Sequence, residues 1–292
     1  MRDVLIALAP AVIAGTILFG PRALLLVAVC VASSMVFEYA VRRLMKKENA
    51  LFDLSAVVTG VLLALNLSST TPIYMAVIGS FFAIVVVKQL FGGLGQNFAN
   101  PALTARIMLL LSFTAEMTSF PAPFAWRGEV VDAVSVATPL DGGANPAMLW
   151  QLFLGERAGS IGETSAIALL LGCAYLMLRG VISWRIPVVF IGAEALLALI
   201  AGDDPLRQIL SGGLLLGAIF MATDYTTSPA TKQGQIVFAI GCALVTFMIR
   251  QFASLPEGVS YSILFMNILT PHIDRLTASR PFGAAKGRRS LS

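Results

Sequence analysis

Apolar residues in this chain come in long unbroken runs, and polar residues gather between them. Ten runs approach the roughly 20 mostly apolar residues that a membrane-crossing helix needs. They lie at 4–20, 22–41, 54–68, 73–91, 100–115, 163–179, 185–201, 207–223, 234–250 and 258–274. None alternates apolar with polar positions, as the strands of a membrane barrel would. The pattern predicts an all-α integral membrane protein with about ten transmembrane helices. The runs 54–68 and 207–223 are short and interrupted by Gly or Ser, a habit of helices facing binding sites in transport folds. Met1 to Gly20 has almost no basic leader and no convincing small-residue cleavage site, so it reads as a first span.

The runs repeat. Ser55 and Gly60 are followed by Thr70-Thr71-Pro72, Lys88-Gln89 and Phe98-Ala99-Asn100. Ser211 and Gly217 are followed by Thr227-Ser228-Pro229, Arg250-Gln251 and Phe265-Met266-Asn267. The same order recurs at an offset drifting from about 157 to 167 residues. Five spans per repeat is an odd number, so the halves enter the membrane with opposite topology. The expected organisation is a first five-helix half at 1–115, an external loop at 116–162, a second half at 163–275 and a basic tail at 276–292.

Composition agrees with this class. Hydrophobic residues make up 57% and charged residues 12%, against about 25% charged in soluble domains; mean hydropathy is +0.84. The net charge of +4 resides mainly in connections and the tail, so no nucleic-acid binding is expected. Arg42, Arg43, Lys46, Lys47, Lys88, Arg179, Arg185, Lys232 and the tail residues Arg275 to Arg289 all fall on one side of a ten-span arrangement. By the excess of basic residues on inner loops, that side is the cytoplasm, with both termini. The loop 116–162 is then external; Arg127, Arg157 and Arg250 are minor exceptions. Cys30, Cys173 and Cys242 sit inside apolar runs without a Cys-x-x-Cys spacing. Neither a disulfide framework nor an iron–sulfur cluster held by this chain alone is expected. No Walker, Rossmann or His-Glu-x-x-His pattern occurs, so neither ATP nor NAD is expected to bind here directly.

Chemistry-bearing residues cluster in a few places. Gly92-Gly-Leu-Gly95-Gln96-Asn97-Phe98-Ala99-Asn100-Pro101 opens the fifth run. Asn100 is an N-cap with Pro101 at the first helical position. Exposed amides at such a start suit an anion or a ligand's carbonyl edge, and a capped re-entry turn accounts for the same residues. Thr223-Asp224-Tyr225-Thr226-Thr227 ends the eighth run; a carboxylate among hydroxyls there suits Na+ or a proton, or a solvated turn. Glu163-Thr164-Ser165 opens the sixth run, where Glu163 complements the helix dipole. Glu194 stands mid-span with no basic residue near it in sequence, a costly placement that marks function by default. Glu257 is a candidate partner for Arg250. His272 reads as an interfacial side chain.

The external loop carries Asp132-Ala-Val-Ser135-Val136-Ala137-Thr138-Pro139. This stretch resembles the Ser-x-Ala-Thr flavinylation motif of a family of membrane flavoproteins. The family comprises the D-type component of the Rnf ion-translocating ferredoxin:NAD oxidoreductase and the B-type component of the sodium-pumping NADH:quinone reductase. Val136 departs from the glycine common before the alanine. The runs 92–102 and Gly162-Glu163-Thr164-Ser165 also resemble family segments near the flavin, and the likeness extends over nearly the whole chain. It implies FMN esterified through its phosphate to Thr138, with Asp132, Ser135 and Ala137 framing recognition by a flavin transferase. It implies Asn97, Asn100, Glu163 and Thr164 near flavin, and a second, noncovalent flavin such as riboflavin. It further implies the A-, B-, C-, E- and G-type Rnf proteins as partners. Electron transfer would be coupled to Na+ or H+, for which Asp224 and Glu194 are the expected carriers. The chain begins almost directly with a span, which favours the Rnf side, in a bacterial or archaeal cell membrane. The alternative is a solute channel or carrier with a urea-channel-like inverted repeat and no redox role.

Overall fold

The computed structural model describes residues 1–46, 53–127, 146–155, 157–163, 165–253 and 258–278, with side chains at 146–149 left aside. Every regular element among them is helical. The chain runs α1 (Arg2–Phe19), α2 (Pro21–Leu44), α3 (Ser55–Leu65), α4 (Ile73–Phe81), α5 (Pro101–Ser112), α6 (Thr114–Met117), α7 (Pro146–Leu154), α8 (Ala166–Leu178), α9 (Arg185–Ala201), α10 (Pro205–Leu210), α11 (Leu214–Leu216), α12 (Lys232–Phe252) and α13 (Val259–Thr277). Wider π-helical turns continue α4 through Phe82–Gln89 and α11 through Gly217–Met221. Among the described residues three helices, α1, α2 and α12, are long and apolar enough to cross a membrane by length and composition.

Each of the ten apolar runs falls on helix, but the eighth is not one helix. Ser211 is extended, and Gly212 and Gly213 take φ of 64° and 69°. The left-handed region favours glycine, so the Gly-Gly pair splits the run into α10 and α11. α3 begins from the same kind of corner, with Leu54 at φ 62°.

The core is built from small and branched side chains. Leu8, Leu26, Leu63, Leu65, Met75, Leu103, Phe190 and Phe238 are all fully buried. α1 packs on α8, α2 on α3 and α4, α9 and α13 on α12, and α5 on α13. Across α1 and α8 the backbones nearly touch: a Cβ added at Gly172 would lie 2.3 Å from the carbonyl oxygen of Ala7. The lipid-length helices keep most of their windows unburied, as expected of surfaces that meet lipid or partner chains. All three cysteines are free and buried.

Candidate cofactor cleft and buried charge pairs

A cleft partly open to the surface lies between α3, the end of α4, the turn before α5 and the end of α11. Val58, Leu62, Leu94, Ile182 and Phe220 give it apolar walls; Ser55, Thr59, Lys88, Asn97, Asn100, Thr223, Asp224 and Thr226 give it polar points. Mostly apolar walls with few polar groups are the usual make-up of a small-molecule site.

Each polar point has a local cause. Asn100 caps α5 as the sequence predicts: its side-chain oxygen accepts from the amides of Ala102 at 3.1 Å and Leu103 at 3.3 Å, with Pro101 at the first position. Its Nδ2 donates to the Met221 carbonyl at 3.4 Å. That bond ties the start of α5 to the end of α11. Asn97 Nδ2 donates to the carbonyl of Ala99 at 3.0 Å and to Thr226 Oγ1 at 3.1 Å. Thr226 Oγ1 donates onward to Asp224 Oδ2 at 3.1 Å. Asp224 also accepts from the Thr226 amide at 3.3 Å and from Thr227 Oγ1 at 3.5 Å. Burial pushes its carboxyl above the ordinary value, and the bonds from Thr226 and Thr227 pull partly the other way. Thr59 and Thr223 donate their hydroxyl protons to the carbonyls of Ser55 and Ile219. Their oxygens therefore remain as acceptors.

Lys88 and Ser55 belong to a denser network. Lys88 Nζ donates to Glu38 Oε1 at 2.9 Å, Glu38 Oε2 at 3.0 Å and Ser55 Oγ at 2.6 Å. Gln89 Nε2 adds a bond to Glu38 at 2.9 Å, and Arg42 Nε lies 3.4 Å from the same carboxylate. Ser55 donates through its amide and hydroxyl to Asp53 Oδ1 at 2.8 and 2.6 Å. Sequence reasoning marked Ser55 as a repeat marker and Lys88 as a repeat marker and an inner-side charge, and missed Glu38. The available signals were a glutamate inside a span and an arginine four residues later.

A second ion pair joins α9 and α12. Arg250 Nη1 lies 3.3 Å from Glu194 Oε1, and both side chains are buried. The same guanidinium donates to the Gln208 carbonyl at 2.8 Å, to Gln208 Oε1 at 3.0 Å and to the Ser211 carbonyl at 2.9 Å. These are carbonyls that the break between α10 and α11 leaves without helical partners. Arg250 thus turns inward to Glu194; Glu257, the partner expected from sequence, lies outside the described residues. Gln251 bonds Asp203 nearby.

Glu163 departs from expectation as well. α8 starts at Ala166 with Ser165 as its cap, so Glu163 sits in the turn before the helix. Ser160 Oγ donates to its Oε2 at 2.7 Å, and Arg157 donates to its carbonyl at 2.7 Å. A Cβ at Gly213 would lie 3.4 Å from that same Oε2. Glu163 therefore stands at the beginning of α11, whereas the cleft stands at its end. The structure brings Asn97, Asn100 and Asp224 together and leaves Glu163 and Glu194 apart from them. Asp132, Ser135, Ala137, Thr138 and Thr164 lie outside the described residues. Among the described residues no group of three His, Cys, Asp or Glu side chains converges on a metal-sized site.

The family model described as the NQR2, RnfD, RnfE family matches residues 1–283. The D-type component of a Na(+)-translocating ferredoxin:NAD(+) oxidoreductase complex from Acetobacterium woodii is 50% identical, over 98% of this chain and 91% of its own length. The D-type component of a proton-translocating ferredoxin:NAD(+) oxidoreductase complex from Clostridium ljungdahlii is 42% identical, over 98% of this chain and 92% of its own. The D-type component of an ion-translocating oxidoreductase complex from Stutzerimonas stutzeri is 38% identical, over 99% and 93%.

Proposed function

Since the chain belongs to the NQR2, RnfD, RnfE family, we propose that it is the D-type membrane component of an Rnf-type ferredoxin:NAD oxidoreductase. In this reading it relays electrons through flavin and couples the relay to Na+ or H+ movement. The observation that carries the reading is identity of 50% along nearly the full length of a relative named as the D-type component of a ferredoxin:NAD(+) oxidoreductase complex. Its partners are the A-, B-, C-, E- and G-type proteins of the complex, and a flavin transferase during maturation. Thr138 takes FMN as a phosphoester on the external face, framed by Asp132, Ser135 and Ala137, with both termini cytoplasmic.

The cleft suits a second, noncovalent flavin. Val58, Leu62 and Phe220 would offer a flat ring apolar surface. The hydroxyl oxygens of Thr59 and Thr223 would be acceptors for the ring's N–H, and Asn97 and Asn100 would hold its polar rim. Bound flavin supplies one- and two-electron chemistry; the chain supplies position, exclusion of water and field. Glu163 orders the turn at the far end of α11.

Ion coupling falls to Asp224 or Glu194. Asp224 faces the cleft and its affinity for a proton is already raised, so a change of charge in the cleft shifts its occupancy. Glu194 requires Arg250 to release it first. The halves 1–115 and 163–275 form inverted repeats. Supporting this are the matched pairs Glu38–Lys88 and Glu194–Arg250, the left-handed corners before α3 and α11 and the contacts of α1 with α8 and α5 with α13.

The broken eighth run favours a second reading, a solute carrier, because discontinuous helices line the sites of such folds. One gel separates the two. Co-expressed with a flavin transferase, the chain runs as a fluorescent band under denaturing conditions, and Thr138→Ala abolishes the band. A dark wild-type band, with the transferase shown to be active, overturns the flavoprotein reading.

A further inference from the structure

Lys88 is buried at 2% exposure yet lines the cleft. A buried ammonium is held only by partners, and this one has used all three of its donors on Glu38 and Ser55. It has no N–H to give a bound molecule, so it acts on one through its charge. Glu38, fully buried, is shared by Lys88 and Arg42. Among the described charged groups of this network, Lys88 alone lines the cleft. Asp53 stands one hydroxyl further off, beyond Ser55. Between apolar walls such a field is weakly screened.

We infer that Lys88 is the tuning charge of the cleft, favouring the reduced form of the flavin bound there. The inference rests on the reading of the cleft as a noncovalent flavin site. A flavin that takes two electrons from the one-electron carriers of a partner protein, and one proton from water, gains one negative charge. Lys88 binds that anion better than the neutral oxidised ring, and Glu38 sets how much of the ammonium's field reaches it. The network thus makes Glu38 and Lys88 opposing controls on one quantity, the ratio of reduced to oxidised affinity.

The test uses the full-length chain carrying Thr138→Ala, purified without flavin transferase so that noncovalent flavin alone is retained. Acid-extractable flavin per chain is measured first, then the flavin midpoint potential by spectroscopic redox titration. Lys88→Gln is expected to lower the affinity ratio at least tenfold, which moves a two-electron couple about 30 mV more negative. Lys88→Arg is expected to restore the parent potential, and Glu38→Gln to shift it the opposite way, more positive. A general loosening of the site would move Lys88→Gln and Glu38→Gln in the same direction, which overturns the inference. So does an unchanged potential in Lys88→Gln at full flavin content. If Lys88→Gln retains no flavin, Glu38→Gln decides: a positive shift supports the tuning role, and none or a negative one overturns it. Absence of extractable flavin from the parent chain removes the cleft reading itself, and the inference with it.

Discussion

Replacing Arg250 with methionine should be among the most damaging single changes available in this chain, and Glu194→Gln should partly reverse it. Arg250 and Glu194 have side chains 3% and 0% exposed, so the change strands a carboxylate with no solvent to receive it. Breaking a buried pair from one side costs about 3–5 kcal/mol. The same substitution frees the carbonyls of Gln208 and Ser211 at the break between α10 and α11, and hydrogen bonds to a charged donor contribute roughly 1.5–3 kcal/mol each. These contributions overlap, so a loss near the upper end of the ion-pair range is expected. Against a total stability of about 5–15 kcal/mol, that is a large share. With Glu194→Gln added, the stranded charge disappears while the open carbonyls remain. The double variant should then recover about 1–3 kcal/mol relative to Arg250→Met alone, a coupling expected only of residues in contact. Thermal unfolding of the detergent-solubilised chain, followed by tryptophan fluorescence, measures all four corners of the cycle. Strict additivity of the two changes would refute this reasoning, because the carboxylate would then not depend on Arg250.

Other consequences are simpler to read. Asn100→Ala removes the cap of α5 and its bond to Met221; loss of the cap costs roughly 1 kcal/mol, and retained noncovalent flavin should fall, measured by acid extraction. Gly172→Ala forces a methyl group to within 2.3 Å of the Ala7 carbonyl oxygen, so α1 and α8 must separate; overpacking of this kind costs about 1–3 kcal/mol, visible as a lowered Tm. Asp224 has a native carboxyl raised by burial. The native chain keeps that proton where the unfolded chain has released it. Its contribution is complete below the ordinary carboxylate value, near pH 4, and declines as pH rises to the native value. Asp224→Asn should remove that slope from a series of Tm measurements taken upward from about pH 4.

What the sequence revealed and what it concealed divide along physical lines. The apolar runs were legible because a helix in lipid must satisfy its backbone internally and present apolar side chains for its whole length. The Asn100-Pro101 cap was legible because capping is settled within four residues. The break at 211–213 was half legible: Gly212-Gly213 stands in the sequence, but hydropathy averages across it. The ion pairs were hidden because their partners lie 50 and 56 positions apart, and no local pattern joins Glu38 to Lys88 or Glu194 to Arg250. Glu163 was placed one turn too late, since Ser165 is the stronger cap and takes the helix start. The Asn97–Thr226–Asp224 chain likewise joins residues 129 apart, although both of its ends were singled out, Asn97 in the run before the fifth span and Asp224 among its neighbouring hydroxyls.

At the centre of the proposed function stands an external threonine that carries a flavin. Trypsin cleaves after Arg127 and after Arg157 and finds no Lys or Arg between them, so one peptide contains the whole Asp132 to Pro139 stretch. Mass spectrometry of that peptide, from chain purified with its complex, should show it heavier by one FMN less one water, with fragment ions placing the addition on Thr138. The bare peptide mass from a complex that moves electrons at full rate, or an addition on another residue, would contradict that role for Thr138.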